Sequence, residues 1–337
     1  MTGELIMDTL PDRETKGFRN LLDTLSPERR AMLALRLRRK TEGAAARAEL
    51  NGLLDSSQMF GRPDELVEIQ PGAGCGVAPF FCVHPAGGNV FCYATLAHHL
   101  GAERPFYGFP ASGESAAMEE TRPSLEALAA RYCETLRRAR PHGPYLLGGW
   151  SMGGIMAFEM ARQLSARGEE VKLLALFDSK IPSLKERRIA TDETALLWSF
   201  VRDLGLQHTR QRNLPHDLFA AQPDVQPQRL FEMAKTAGML PAGTQLAQVL
   251  NLLQVFKMNV RAMCDYVPQE YTGTVKLFKA NEEAARDASD PALGWGDAAR
   301  ELEIHTIPGT HYTIMREPHV KMLAAQLRDC LRQADEG

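Results

Sequence analysis

Short apolar runs alternate with amphipathic segments from about residue 79 onward. Phe80-Phe81-Cys82-Val83 is a continuous apolar run that ends at His84-Pro85, a pattern typical of a buried parallel strand. Similar runs over Pro105–Phe109, Tyr145–Leu147 and Val171–Phe177 predict further strands, with helical segments between them. Strands that alternate with helices in this way predict an α/β fold with a mostly parallel sheet flanked by helices.

The alternation is interrupted between about residues 182 and 270. The periodicity there predicts helices over Ala195–Leu204, Gln228–Ala237 and Gln245–Tyr266. Strands then resume at Thr274–Ala280 and Glu301–Ile307, and an amphipathic helix follows them. A helical block inserted between two strands is typical of a lid over an active site, so a lid is expected at about 182–270.

The first 78 residues lack this alternation. Ser26 and Pro27 suit the N-cap and first position of a helix that ends in the basic cluster 38–40. We interpret residues 1–50 as a helical segment that could serve in docking or linking, with a solvated basic helix as the open alternative. Glycine and proline in residues 51–78 predict a linker, so the folded domain is expected over 79–337.

Composition narrows the possible functions. The formal net charge of -3 over 337 residues gives no reason to expect a nucleic-acid or anionic-membrane partner. No uninterrupted apolar stretch reaches the length of a membrane-spanning helix. The six cysteines are scattered without a metal-binding or disulfide pattern. We therefore expect no bound metal and a cytoplasmic location.

Gly149-Trp150-Ser151-Met152-Gly153 matches the G-x-S-x-G pattern, with a predicted strand before it and a predicted helix after it. A serine in this setting occupies a strained turn that needs small residues two positions away on either side. Ser151 is therefore the predicted nucleophile. The N–H of Met152, at the helix N-terminus, is a predicted oxyanion donor. Together with the alternating strands, the motif predicts the α/β-hydrolase fold.

A serine hydroxyl needs a base, which in this fold comes late in the chain. His311 follows the last predicted strand and precedes the last predicted helix, so it is the predicted base. Asp178 directly follows Val171–Phe177 and is the predicted acid that orients the imidazole. The carboxylates after the next strand remain the open alternative; they are Glu282, Glu283 and Asp287.

The second oxyanion donor is expected in the loop after the first predicted strand, His84–Asn89. Its glycines allow backbone N–H groups to approach a ligand closely. We predict Ala86 as the donor and interpret His84 as a structural residue of this turn.

Three ordered motifs now carry a resemblance, namely Phe81–Gly88, Gly148–Gly154 and Pro308–Tyr312. They resemble the thioesterase domains of nonribosomal peptide synthetases and polyketide synthases, over about residues 78–332. An acid at Asp178 is similar to the releasing (type I) members, whereas stand-alone proofreading members more often carry it after the next strand.

The resemblance implies a chemistry and a partner. An acyl chain would arrive as a thioester on the phosphopantetheine of an acyl or peptidyl carrier protein and move to Ser151. It would then pass to water or to an internal or external hydroxyl or amine. The domain itself is expected to bind no cofactor. Residues 1–78 lack a carrier-protein serine motif, so the carrier is expected to be another protein or a segment outside this sequence.

Three other functions remain open at this point. A stand-alone proofreading thioesterase and an esterase that acts on free small esters would use the same three side chains. A catalytically inactive hydrolase fold that serves as a binding module would not need them.

Overall fold

The computed structural model of this chain gives a description of most of the predicted domain. The predicted N-terminal helix lies outside the described residues. The described ranges are 65–73, 76–111, 122–203, 227–236, 244–282 and 290–336.

A seven-stranded sheet forms the centre of the domain, with strand order β1-β3-β2-β4-β5-β6-β7. β1 pairs antiparallel with β3, and each of the other neighbouring pairs is parallel. The strands are β1 (Val67–Gln70), β2 (Phe80–Val83), β3 (Phe106–Phe109), β4 (Tyr145–Trp150), β5 (Val171–Phe177), β6 (Tyr271–Ala280) and β7 (Ala299–Ile307).

Helices cover both faces of this sheet. The helices are α1 (Ala94–Leu100), α2 (Leu125–Ala139), α3 (Met152–Ala166), α4 (Leu184–Arg187), α5 (Glu193–Asp203), α6 (Pro227–Thr236), α7 (Leu246–Asp265) and α8 (His319–Glu336). α2 packs against α3, and α1 packs against α8. Among the described helices, none combines the length and apolar character needed to cross a membrane.

Two hydrophobic cores result from this arrangement, one on each face of the sheet. Side chains of α2 and α3 belong to one core, which also takes in the inserted helices. Side chains of α1 and α8 belong to the other. The central strands are buried on both faces, which is why they appear in the sequence as continuous apolar runs. The predicted fold class, a mostly parallel sheet flanked by helices, is confirmed.

The structure differs from the prediction in the segment expected to be a linker, 51–78. Val67–Gln70 forms β1, which pairs with β3 at the edge of the sheet. Its side chains alternate between apolar and polar, as an edge strand with one solvated face requires. The glycines and prolines on both sides of these four residues made the segment look like a linker. The ordered fold therefore begins before residue 79.

The predicted helical insertion lies between β5 and β6 and contains α4 to α7 among the described residues. Most of its large apolar side chains that the structure describes pack into the core, including Leu196, Phe200, Val255 and Phe256. These residues fix the insertion to the domain.

The C-terminal end of α7 is fastened to the body of the domain by side chains. The guanidinium of Arg187 donates to the carbonyl oxygens of Cys264 and Tyr266. The Tyr266 hydroxyl donates to the carboxylate of Glu159 on α3, at 2.9 Å. Glu159 is 1% exposed, and two bonds from Arg162 compensate for its burial. This end of the insertion is therefore part of the rigid core.

Candidate active site

Ser151 occupies the turn between β4 and α3. Its backbone has φ 58° and ψ −127°, a conformation that costs a residue with a side chain of the order of 1–3 kcal/mol. Two hydrogen bonds hold the turn in place. The Ser151 N–H donates to the carbonyl oxygen of Phe177 at 3.0 Å, and the Ser179 hydroxyl donates to the Ser151 carbonyl oxygen at 2.7 Å.

The glycines on either side of this serine have no room for a side chain. A Cβ on Gly149 would overlap the backbone carbonyl of Gly153. A Cβ on Gly153 would overlap the backbone oxygen of Val83, at the end of β2. The small residues that the motif requires are thus explained by backbone-to-backbone contact. The same contact brings the loop after β2 against the N-terminus of α3.

The structure brings Asp178 and His311 together from positions 133 residues apart. The Nδ1 atom of His311 lies 2.8 Å from Oδ2 of Asp178. The other carboxylate oxygen, Oδ1, accepts the backbone N–H of Ala280 at 2.8 Å. The carboxylate can only accept, so the proton of this pair lies on Nδ1, and Nε2 is left on the opposite edge of the ring.

Trp150 links this pair to the serine turn. Its indole N–H donates to the carbonyl oxygen of His311 at 3.1 Å, and the two rings lie 5.3 Å apart between centroids. Trp150 directly precedes Ser151, so the His311 loop is held beside the Ser151 turn. Sequence analysis did not assign this role to Trp150.

The alternative acids do not take the place of Asp178 among the described residues. Glu282 is exposed, and its backbone N–H donates to the carbonyl oxygen of Gly309 at 2.9 Å. It therefore supports the loop that carries His311 through its main chain. Glu283 and Asp287 lie outside the described residues.

Ala86 lies in a loop whose peptide groups are fixed by side chains. The carbonyl oxygen of Pro85 accepts from Nδ1 of His84 at 2.7 Å and from the N–H of Gly88 at 2.9 Å. The carbonyl oxygen of Ala86 accepts from Nδ2 of Asn259 at 2.9 Å. Within the described part of the chain, the N–H groups of Ala86 and Met152 donate to no protein acceptor.

His84 is a buried and neutral part of this loop. Since the carbonyl oxygen of Pro85 can only accept, Nδ1 carries the proton and Nε2 accepts from the hydroxyl of Tyr132 at 2.8 Å. Burial lowers the pKa of His84 from its ordinary value of 6.5 to about 4, against a smaller opposing effect of the bond to Pro85. The structural interpretation of His84 fits this environment.

Tyr93 connects the two loops that meet at the site. Its hydroxyl accepts the backbone N–H of Trp150 at 2.8 Å and donates to the carbonyl oxygen of Val83 at 2.5 Å. The ring is fully buried. Neighbouring strands β2 and β4 end at this point, so the hydroxyl satisfies two main-chain groups beyond the sheet ladder. Nothing in the local sequence pattern marked Tyr93 for this position.

The described residues contain no group of three or more histidine, cysteine or acidic side chains placed to hold a metal ion. The turn that carries Ser151 lies beside the loop that carries the Asp178–His311 pair, because Trp150 bonds to that loop. A serine, an imidazole and a carboxylate on adjoining segments are the groups that acyl transfer requires.

Comparison with known proteins agrees with this geometry. The model of the thioesterase domain family matches residues 78–331. The chain is 33% identical over 202 residues to the dimodular nonribosomal peptide synthase of Bacillus subtilis strain 168. The aligned region covers 60% of this chain and 8% of that protein. It is also 29% identical over 322 residues to the microperfuranone synthase of Emericella nidulans. That aligned region covers 92% of this chain and 33% of that protein. The chain thus spans about a third or less of the length of these relatives.

A solved structure with the same fold is the NocB thioesterase domain in covalent complex with a fluorophosphonate nocardicin G analog. It has a TM-score of 0.53 and 26% sequence identity, and the match covers 78% of this chain and 96% of that one. The family model extends over most of the region in which the seven-stranded sheet and the serine turn are found. This chain therefore belongs to the thioesterase family and has the α/β-hydrolase fold.

Proposed function

We propose that this domain releases an acyl or peptidyl chain from a carrier protein through an acyl-enzyme formed on Ser151. The observation that carries the proposal is the bond of 2.8 Å between Asp178 and His311 beside the serine turn. Ala86 and Met152 are the other members of the predicted site. Among the described residues, their backbone N–H groups have no backbone acceptor, so both can donate to an oxyanion.

In the first half-reaction, Oγ of Ser151 attacks the carbonyl carbon of the thioester while Nε2 of His311 takes the hydroxyl proton. Asp178 stabilises the resulting imidazolium. Its bond to Nδ1 also keeps Nε2 on the edge of the ring that faces away from the carboxylate. The new C–O bond turns the carbonyl oxygen into an oxyanion, which accepts from the N–H groups of Ala86 and Met152. Collapse of the intermediate breaks the C–S bond, and the thiolate takes the proton from His311.

In the second half-reaction, a nucleophile attacks the acyl-enzyme. Water, or a hydroxyl or amine, gives its proton to Nε2 of His311 as it bonds to the acyl carbon. A second oxyanion forms at the same two donors, and its collapse breaks the bond to Oγ of Ser151, which recovers the proton. Water yields a free acid, whereas an internal nucleophile yields a ring and an external one a conjugate.

A carrier protein is the proposed partner, with the acyl chain on its phosphopantetheine arm. This proposal is supported by the family match and by relatives that are nonribosomal peptide synthases several times longer than this chain. The position of Asp178 after β5, rather than after β6, supports the releasing kind of thioesterase over the stand-alone proofreading kind. The inserted helices are proposed to shape the acyl pocket and the access of water.

A fluorophosphonate probe tests the proposed nucleophile. We expect the wild-type domain to gain one covalent adduct, mapped to Ser151 by peptide mass spectrometry, and the variant Ser151→Ala to gain none. Failure of the wild type to react would refute the nucleophile and would favour an inactive binding module.

Turnover separates the thioesterase from a general esterase. The same acyl group is offered as a thioester on a holo carrier protein and as a free small ester, and the kcat/KM values are compared. We expect a strong preference for the carrier-bound thioester. Equal values would refute the carrier-dependent function while leaving the serine mechanism intact, and product analysis in the same assay distinguishes acid from ring.

A further inference from the structure

Asn259 is a buried polar residue on α7, in the inserted helical block. The residue is 1% exposed, and Phe256 and Val260 on the same helix belong to the hydrophobic core. A buried amide is costly unless it is hydrogen-bonded. Its Nδ2 atom donates to the carbonyl oxygen of Ala86, which lies 173 positions earlier in the chain. The insertion is thus bonded directly to the loop that carries a proposed oxyanion donor.

The bond from Asn259 holds the peptide group between Ala86 and Gly87. Gly87 and Gly88 follow Ala86, and glycine restricts the backbone least of all residues. The peptide before Ala86 is held at its Pro85 oxygen by His84 and Gly88. Asn259 holds the peptide after it. The N–H of Ala86 belongs to the Pro85–Ala86 peptide, so His84 and Gly88 hold its plane directly. The bond from Asn259 acts on the next peptide and keeps Ala86 itself in position.

The helix that supplies this contact is itself anchored. Six positions after Asn259, α7 ends at Asp265, and the carbonyl oxygens of Cys264 and Tyr266 accept from Arg187. The Tyr266 hydroxyl is bonded to the buried carboxylate of Glu159. Asn259 therefore projects from an anchored helix and can hold the Ala86–Gly87 peptide in place.

We infer that Asn259 is a positioning residue that holds Ala86 and its loop in place against α7, so that the Ala86 N–H stays at the oxyanion and the inserted helical block completes the catalytic centre. The inference rests on the proposed function, because it assigns Asn259 a part in the same acyl transfer. It also predicts that the insertion contributes to the chemical step and not only to substrate binding.

Two substitutions remove the donor without opening a cavity. Asn259→Leu has nearly the same size and suits the apolar surroundings, while Asn259→Asp keeps the shape but turns a carboxylate oxygen toward the Ala86 carbonyl. Loss of an oxyanion donor costs about 10²–10³ in kcat, and here the donor is misaimed but still present. We therefore expect kcat to fall about 10- to 100-fold in both variants, with KM changed less than about threefold.

Cys264→Ala is the matched control. Cys264 lies on the same helix and is buried, but its thiol bonds weakly to the carbonyl oxygen of Glu186 at 3.9 Å and not to the loop that carries Ala86. Truncating it loosens the packing of α7 without touching the loop. We expect a lower melting temperature in Cys264→Ala with kcat close to that of the wild type. Asn259→Leu should lower kcat in the temperature range in which it is still folded.

The measurements are kcat and KM for a p-nitrophenyl ester, the rate of fluorophosphonate labelling, and the melting temperature of each full-length variant. If the wild type labels at Ser151 and Asn259→Leu keeps its kcat, the positioning role is wrong and the proposed function stands. A fall in kcat that only accompanies thermal unfolding, and occurs equally in Cys264→Ala, also overturns it. If the wild type does not label at all, the proposed function itself fails.

Discussion

Replacing Ser151 by glycine should stabilise the domain while it removes the nucleophile. The backbone at Ser151 has φ 58° and ψ −127°, which glycine adopts readily and which other residues adopt only under strain. Ser151→Ala removes the same hydroxyl but keeps a Cβ and therefore keeps the strain. The comparison between these two variants isolates the backbone contribution, because neither has the side-chain oxygen.

The magnitude follows from two opposing effects. Relief of an unfavourable backbone conformation contributes about 1–3 kcal/mol. Glycine loses more conformational freedom on folding than alanine does, which costs about 0.5–1 kcal/mol. The difference favours the glycine variant by roughly 1 kcal/mol, and in a domain of this size that raises the melting temperature by about 2–4 °C.

Urea unfolding at equilibrium, followed by tryptophan fluorescence and by circular dichroism, measures the free energy of unfolding of both variants. Ala325→Gly is the control, since Ala325 is exposed within α8 and glycine there should destabilise by about 1 kcal/mol. The same chemical change should thus have opposite signs at the two positions. A Ser151→Gly variant that is less stable than Ser151→Ala would refute the claim that this turn is strained.

Two further predictions concern the acid and the loop histidine. In Asp178→Asn, the amide oxygen still accepts from the N–H of Ala280, so the amide NH2 faces Nδ1 of His311. The ring proton then moves to Nε2, which should lower kcat by about 10⁴. An unchanged kcat would exclude Asp178 as the acid. The pKa of His84 is about 4 in the folded domain and 6.5 in the unfolded chain, so the unfolded chain binds the extra proton between these values. The free energy of unfolding should therefore fall by up to about 3 kcal/mol as the pH is lowered through this window. Urea titrations at several pH values measure this fall. It should be weaker in His84→Asn, whose side chain keeps a donor for the Pro85 carbonyl oxygen. Equal pH profiles for the two proteins would contradict the neutral, buried state of His84.

The sequence by itself indicated most of the strands and helices, and it contained the G-x-S-x-G motif around Ser151. Buried parallel strands such as β2 and β5 are apolar on both faces, so their environment is visible as an uninterrupted run of residues. The Ser151 turn depends on the residues within two positions of it, and Gly149 and Gly153 are required by contacts among those same residues and the end of β2. Properties that depend on neighbours along the chain are recorded in the local pattern.

One strand was missed for the same local reason. Val67–Gln70 is only four residues long and lies among glycines and prolines, so its alternation was outweighed by turn-forming neighbours. Its pairing with β3, nearly forty residues later in the chain, is what makes it a strand. A short edge strand gains its stability from the sheet that it joins and not from its own sequence.

Only the tertiary structure decided how the distant groups meet. The pairing of Asp178 with His311 agrees with the order of residues, but the support given by Trp150, Tyr93 and Asn259 has no local signature. A polar side chain finds its partner when separately formed helices and strands dock, and the sequence pattern specifies which face of each element is buried rather than which atoms face one another. Hydrogen bonds between elements far apart in the chain are therefore fixed by packing.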